Sequence, residues 1–352
     1  MSQTLHADLQ TLMLENFRED EPGGSLLVLK NDSIVFSQGY GIADLASGEK
    51  INAETVFNIG SISKTFVAMG ILILAERGQL SLMDPVTRYF AFDHPEVVNE
   101  ITIKHLLTHT SGLPDLRDVQ NNREFYLTAR DQENFSPLLS CDQLNFIPGS
   151  QFQYSNPAYN GLALIIEQVT GRKWQEFIEE NIFQKSGMTH SKITDGPHPE
   201  TGVAHAYVLQ NNHFVESDYG EFPTFAAAGN GGIWSSTIDL VRYYQALKAA
   251  KFLRDKSMLE EAQRPWYSAN WSGSDHPFVG YGWWRGEKAL FSGVTFAKDM
   301  IFHTGSQGGF RGYYVNIPEE QILIVALFNR PVDKSILKSV TAIIQQHRWL
   351  NH

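Results

Sequence analysis

The sequence holds one cysteine, Cys141, among its 352 residues. An intrachain disulfide is thereby excluded, and with it the disulfide framework of small secreted domains. Cys141 lies in Leu139-Ser-Cys-Asp-Gln with no activating context, so it reads as a buried or incidental thiol rather than a nucleophile. Cations are scarce as well: 28 Lys and Arg stand against 39 Asp and Glu, a formal charge of −11. Such a surface repels phosphate backbones, and no basic run with interleaved aromatics offsets it, so nucleic acid is not an expected partner. Long apolar runs are missing too. Val67 to Ala75, the longest such stretch near a helix start, falls well short of the ~20 residues of a membrane span. The N-terminus has no basic segment followed by an apolar one and does not read as a signal peptide. The expected compartment is therefore open: cytoplasmic, or exported with the signal removed. Internal repeats and low-complexity linkers are also lacking.

What is present is the composition of a folded globular chain, 42% hydrophobic and 19% charged. At this length roughly three quarters of the unfolded surface is buried, and ~150 residues per domain points to about two units. Leu5, Leu9, Leu12 and Met13 recur at helical spacing and predict a helix over about 4–17. Ser25-Leu-Leu-Val-Leu-Lys, a polar Asn31-Asp32 turn and Ser33-Ile-Val-Phe-Ser predict a β-hairpin. Phe57-Asn-Ile-Gly-Ser leads into an apolar helix over about 61–77 that stops near Gly78. Short helices over 103–109, 160–170 and 174–183 are expected in a loop-rich middle. Gly229-Asn-Gly-Gly then makes a turn before Ser236-Thr-Ile-Asp239, a capping-box pattern opening a helix through about Ala249. Strands follow at about 299–304, 311–316 and 321–328, and a helix at about 333–347. Strands at both ends and helices between predict one sheet built from the two chain ends with the middle inserted as a second lobe. The boundaries are set at 1–78 plus 226–352 for the sheet unit and 79–225 for the lobe.

Three groups of residues carry chemistry. Ser61-Ile-Ser-Lys64 opens the long helix, and residues three apart share a helical face, so the Lys64 amine can reach the Ser61 hydroxyl. A serine alcohol needs such a base, or a lysine whose pKa burial has lowered, before it attacks a carbonyl. Spacing alone decides nothing, because Ser47-Gly-Glu-Lys50 and Ser335-Ile-Leu-Lys338 match it too. Setting decides: Ser61 sits at a strand-to-helix junction, where free N–H groups and the helix dipole can meet a developing oxyanion. The second group is Tyr154-Ser-Asn156. A phenol beside an ammonium loses its proton more readily, and the Asn156 amide offers a donor and an acceptor. The third is His303-Thr304-Gly305 with Ser306 next, at a strand end where glycine permits close backbone approach and an extended acyl group could pair with the strand edge.

Ser-x-x-Lys, Tyr-x-Asn and a Lys/His-Thr-Gly triplet, in this order, resemble the serine β-lactamase and penicillin-binding protein superfamily. Gaps of 93 and 149 residues between the three motifs suit its class C β-lactamase and D,D-carboxypeptidase branch. Leu80-Ser-Leu-Met-Asp-Pro-Val, Ile103-Lys-His-Leu-Leu-Thr-His-Thr-Ser-Gly-Leu-Pro and Gly231-Gly-Ile-Trp-Ser-Ser look like that branch as well, so the likeness covers about residues 20–345. The resemblance implies an α+β sandwich: an antiparallel sheet from both chain ends, flanked by helices, with an inserted helical lobe and the site between them. It implies Ser61 as nucleophile, Lys64 as its proton-transfer partner and Tyr154 sharing the acid/base role. Asn156 would bind the substrate amide, His303 would help electrostatically, and Thr304, Gly305 and Ser306 would line the substrate. The backbone N–H groups of Ser61 and Ser306 would form the oxyanion hole. No cofactor and no metal is implied, and the oligomeric state stays open.

Other features read more blandly. His105 and His109 stand four apart as in zinc metalloproteases, but Leu106 occupies the place of the glutamate, so a metal role is not expected. The aromatic run Trp266, Tyr267, Trp271, Phe278, Tyr281, Trp283 and Trp284 reads as packing rather than an acyl pocket. Arg311 is either a surface arginine or the receiver of a substrate carboxylate. Position 303 is histidine where most β-lactamases have lysine, and a neutral imidazole cannot hold a carboxylate as a fixed cation does. Tyr-Ser-Asn with His-Thr-Gly looks more like D,D-carboxypeptidases, D-aminopeptidases and some esterases. The expected activity is therefore hydrolysis of a D-amino-acid peptide or an ester through a Ser61 acyl-enzyme. Turnover of a β-lactam ranks below it, and a catalytically inactive binding or sensing module is the alternative of another class.

Overall fold

Both ends of the chain feed one sheet in the structure, a computed structural model that describes residues 2–117, 119, 122–194, 202–217, 226–269, 277–286, 299–332 and 335–348. From the N-terminal side come β1 (Gly24–Lys30) and β2 (Ser33–Tyr40). Small strands follow: β3 (Ile42–Asp44), β4 (Glu49–Lys50), β5 (Phe57–Asn58), β6 (Lys192–Ile193), β7 (Tyr207–Gln210), β8 (His213–Glu216) and β9 (Ile233–Ser235). The C-terminal side adds β10 (Tyr267–Ser268), β11 (Phe278–Val279), β12 (Trp284–Gly286), β13 (Met300–Gln307), β14 (Phe310–Ile317) and β15 (Ile322–Phe328). Eight of these form the main sheet in the order β10-β11-β12-β13-β14-β15-β1-β2. Every pairing in it is antiparallel, and β1 meets β15 with Val28 opposite Ile324. The expected antiparallel sheet from both chain ends is thus what the chain builds.

β1 and β15 read as unbroken apolar runs because both faces of the sheet are covered. Leu26 and Val28 pack into one buried cluster, Leu27 and Leu29 into another. The first cluster is closed by α1 (Ser2–Asn16) and α12 (Ser335–Arg348), through Leu9, Met13, Leu337 and Val340. The His347 Nε2 and Asp8 Oδ2 atoms, 2.7 Å apart, tie the two helices together. The second cluster is closed by α2 (Ser63–Glu76), which is buried continuously from Ser63 to Leu74. A helix that is apolar all round belongs in a core.

The inserted lobe carries α3 (Pro95–Val98), α4 (Ile103–Leu107), α5 (Arg123–Thr128), α6 (Asp131–Phe135), α7 (Asn156–Thr170), α8 (Trp174–Ile178) and α9 (Gln184–Ser186). Later come α10 (Thr237–Lys248) and α11 (Lys256–Ala262). At Gly70 of α2, a Cβ would lie 2.9 Å from Ile166 Cδ1 and 3.0 Å from Ile178 Cδ1, so α7 and α8 seat directly against that helix. No described helix is long and apolar enough to cross a membrane.

Several boundaries differ from expectation for local reasons. α7 begins at Asn156 rather than 160, because the Ser155 hydroxyl accepts the Ala158 N–H and Pro157 suits the first turn. Ser236 does cap α10, yet Asp239 does not complete the capping box. Its Oδ2 instead accepts the His190 N–H and the Ser191 hydroxyl, each at 2.8 Å. Within the segment assigned to the lobe, β6 pairs with β9 and Tyr207 N–H donates to the Asn329 carbonyl. Residues 192–193 and 202–217 therefore pack on the sheet unit. Trp271 lies outside the described residues.

Candidate active site

The site grows from a tight junction. The Asn58 carboxamide oxygen accepts the Gly60 N–H at 2.9 Å, bending the chain from β5 into a 3-10 turn, Gly60–Ile62, that runs into α2. Gly60 has φ +51°, and a Cβ there would sit 2.8 Å from the Ser306 nitrogen. At Gly305 a Cβ would meet the Ile59 carbonyl oxygen at 1.9 Å. Both positions therefore need glycine. The close approach that Gly305 permits is taken by the protein's own Ile59–Gly60 backbone, which lays β13 beside the Ser61 turn. On its other edge β13 pairs with β12 over Met300–Phe302 alone, so among the described residues no strand covers that side of His303–Gln307.

Lys64, in the first turn of α2, is fully buried. Its Nζ donates to Ser61 Oγ at 3.1 Å and to the Asn230 carbonyl at 2.5 Å. Burial, with a smaller push from the Arg117 charge, holds the Lys64 pKa well below that of a free lysine. An amine that sheds its proton easily beside a serine hydroxyl is chemically equipped to activate it. Arg117 is itself engaged: Nε and NH2 reach Asp115 at 2.8 and 2.7 Å, and NH1 donates to Asn134.

The Tyr154 ring centre lies 5.2 Å from Lys64 Nζ. Asn156, half-buried as the first residue of α7, has no side-chain hydrogen bond among the described residues. His303 is buried at 2% exposure, and its Nδ1 lies 2.7 Å from the Thr304 carbonyl. A carbonyl only accepts, so Nδ1 carries the proton and Nε2 keeps its lone pair. Burial, with Lys64 close by, pushes His303 down to about 3. The ring is neutral at pH 7.

Arg311 is placed apart from this group. It pairs with Ser306 across β13 and β14, and alternation along the strand puts both on the sheet face opposite His303. Its NH1 donates to the Gly308 and Phe310 carbonyls and holds the β13–β14 turn. Of the residues singled out in the sequence, then, Ser61, Lys64, Tyr154 and His303 come together and Arg311 does not join them.

One residue at the site escaped sequence reading. His109, set aside as half of a false metal pair, stacks on Tyr154 with ring centres 4.4 Å apart. Its carbonyl accepts the Gln153 N–H at 2.9 Å and its Nδ1 accepts the Ser155 N–H at 3.0 Å. It thus brackets Tyr154 from both sides while holding φ at +56°, an uncommon conformation for a non-glycine residue. Burial, with Lys64 and His303 adding to it, keeps the ring neutral. His105 turns elsewhere and accepts the Thr102 N–H at the start of α4. Within the aromatic run, Trp266 stacks on Tyr281 and Trp283 on Tyr243, which is packing. Trp284 is the exception, lying nearly parallel to Tyr154 at 6.1 Å and forming a wall of the site.

The family profile described as Beta-lactamase matches residues 11–346. Penicillin-binding protein 4* of Bacillus subtilis (strain 168) is 28% identical over 361 residues, an alignment covering 98% of this chain and 77% of that protein. Among solved structures, the octameric penicillin-binding protein homologue from Pyrococcus abyssi superposes with TM-score 0.81 at 25% identity, over 98% of this chain and 77% of its own. The D-amino acid amidase from Ochrobactrum anthropi SV3, complexed with D-phenylalanine, shares the fold with TM-score 0.80 at 20% identity, covering 99% of this chain and all of its own. With sheet, junction and profile in agreement, the chain belongs to the beta-lactamase family, within the serine β-lactamase and penicillin-binding protein superfamily.

Proposed function

We propose that the protein is a serine hydrolase that cleaves amides or esters of D-amino acids, or simple esters, through a covalent acyl-enzyme on Ser61. The observation that carries this reading is the buried Lys64 amine 3.1 Å from Ser61 Oγ. In the proposed sequence, neutral Lys64 takes the Ser61 proton as Oγ bonds to the substrate carbonyl carbon. The charge that develops on the carbonyl oxygen is met by the backbone N–H groups of Ser61 and Ser306. Collapse expels the amine or alcohol, which receives its proton from the Lys64–Tyr154 pair. Water then attacks the ester by the same path in reverse and frees Ser61. Asn156 offers its unengaged amide to the substrate, and the open edge of β13 offers backbone partners to an extended acyl group.

The charge balance of the site favours uncharged leaving groups. His303 is neutral, Arg311 serves a turn on the other sheet face, and Arg117 is bound by Asp115 and Asn134. A substrate carboxylate would lose water here without gaining a fixed cation. The fold shared with a D-amino acid amidase is consistent with this ranking.

The test pairs a substrate panel with intact mass measurement. Wild-type protein is expected to show a burst on p-nitrophenyl acetate and an added acetyl mass, and to prefer D-alanine amide or ester to nitrocefin. Ser61→Ala is expected to lose turnover by on the order of a thousandfold and to show no adduct. Full turnover by Ser61→Ala would overturn the proposal, and rapid nitrocefin hydrolysis by wild type would favour a β-lactamase instead.

A further inference from the structure

Asp131 is a buried carboxylate outside the catalytic group, and its surroundings reach into the site. It opens α6 at 6% exposure and takes three hydrogen bonds from three separate parts of the chain. Asn160 Nδ2 of α7 and the Gly229 backbone N–H both donate to Oδ1, and Trp174 Nε1 of α8 donates to Oδ2, each at 2.8 Å. No ion pair joins Asp131 to a cation among the described residues. The charged group that acts on it from α7 is Glu167, which stands 3.4 Å from Lys173. A buried anion without a counter-ion is costly to keep, and such groups persist where they fix a structure.

What Asp131 fixes is the turn that carries Asn230. Gly229 is wedged so tightly that a Cβ would lie 2.7 Å from Ala163 Cβ and 2.9 Å from the Tyr159 carbonyl. Asn230 follows, and its carbonyl accepts from Lys64 Nζ at 2.5 Å. Gly231 and Gly232 then fold back, both donating to the Ala228 carbonyl at 3.0 and 2.7 Å. Ile233 N–H closes the turn on Ser63 Oγ at 3.1 Å. The turn is held by Asp131 before Asn230 and by α2 after it, and Lys64 reads the carbonyl between the two anchors.

We propose that Asp131 is a positioning residue for Lys64: by gripping the Gly229 N–H from the helical lobe, it aims the Asn230 carbonyl at the Lys64 amine and so sets how tightly that amine holds its proton beside Ser61. The inference rests on Lys64 being the group that takes the Ser61 proton. Removing the carboxylate leaves the Gly229 N–H buried without an acceptor, the turn relaxes, and the Asn230 carbonyl no longer supports the ammonium. Lys64 then binds its proton more weakly and swings from Ser61. Burial pushes Asp131 up to about 7, against three bonds that pull the other way.

The experiment follows Lys64 directly in the full chain, by titrating the ε-carbon of ¹³C-labelled lysine with Lys64→Met as the assignment control. Acylation by p-nitrophenyl acetate is measured alongside, with Ser61→Ala in parallel. In Asp131→Ala, which removes the acceptor of the Gly229 N–H, the Lys64 midpoint is expected to fall by about half a pH unit or more. Acylation is expected to slow about tenfold. A folded Asp131→Ala with an unchanged Lys64 midpoint overturns the inference, whatever happens to the rate, since a merely structural role would leave that midpoint alone. A shifted midpoint with unchanged acylation upholds the positioning and instead removes Lys64 from its proposed part at Ser61. Should Asp131→Ala fail to fold, Trp174→Phe removes one donor and leaves the carboxylate. A smaller shift of the same sign is then expected, and none at all counts against the proposal.

Discussion

His109 gives the residue scale its sharpest case, because it grips the chain on either side of Tyr154 and stacks on the phenol between. His109→Ala removes ring and acceptor together, whereas His109→Asn keeps an acceptor and tolerates the left-handed backbone. On p-nitrophenyl acetate, kcat is expected to fall about tenfold to a hundredfold in His109→Ala, with KM little changed and part of the loss restored in His109→Asn. Equal kcat for wild type and His109→Ala would remove Tyr154 placement from the account of the site. His303 makes a separate, pH-dependent prediction. Its pKa drops from 6.5 to about 3 on folding, so between those values the unfolded chain binds a proton that the folded one refuses. Its stabilising contribution is full above pH 6.5 and is lost as pH falls toward 3, up to about 4 kcal/mol. Thermal melts should therefore show His303→Gln losing less stability than wild type between neutral and acid pH, and parallel losses would contradict the assignment. The grouping of Ser61, Lys64, Tyr154 and His303 was legible in the sequence because each sits in a short motif and the family resemblance brings the three motifs together. His109 and Asp131 were not, since they act on partners 46 and 98 positions away and no local spacing records such a contact.

At the scale of elements, the site depends on how closely β13 lies against the turn before α2. Gly305 and Gly312 are cross-strand partners, and they separate backbone contact from side-chain contact. A methyl group at 305 collides with the Ile59 carbonyl at 1.9 Å, whereas one at 312 first meets the movable end of Ile62, at 3.0 Å. Gly305→Ala is expected to cost about 3 kcal/mol in urea unfolding and to slow acylation, with Gly312→Ala costing about 1 kcal/mol or less. Similar costs for the two would show that the strand and the turn are not in hard contact. Long elements could be read from the sequence because their patterns repeat: the β1–β2 hairpin, α1, α2, and the closing β14, β15 and α12. β10, β11 and β12 could not, since two or three residues carry no period. Each strand of the β7–β8 hairpin is four residues long, the shortest run in which alternation registers, and it lies inside a stretch that otherwise reads as loops and helices.

At the scale of the whole molecule, charge and fold act together on substrate choice. The chain carries −11 overall, so an anionic substrate meets a repulsive field before it reaches the site. Inside, Lys64 is committed to Ser61 and Asn230, Arg117 to Asp115 and Asn134, and His303 is neutral, so the repulsion is not compensated on arrival. An N-acetyl-D-alanine ester, which is uncharged, or a cationic D-alanine amide avoids both costs, whereas the anionic N-acetyl-D-alanyl-D-alanine brings a carboxylate that must be desolvated without a partner. We expect kcat/KM to favour the ester or amide by more than about tenfold, which corresponds to ~1.4 kcal/mol in the transition state. Added salt should distinguish the two causes. Screening shortens the Debye length from roughly 30 Å at 0.01 M to 10 Å at 0.1 M, so it relieves the long-range repulsion and leaves the local deficit in place. The dipeptide's kcat/KM is therefore expected to rise with salt yet stay well below that of the ester. A dipeptide that matches the ester at any ionic strength would mean that the site does hold a carboxylate. His303 or Arg311 would then have to move or change charge when substrate binds.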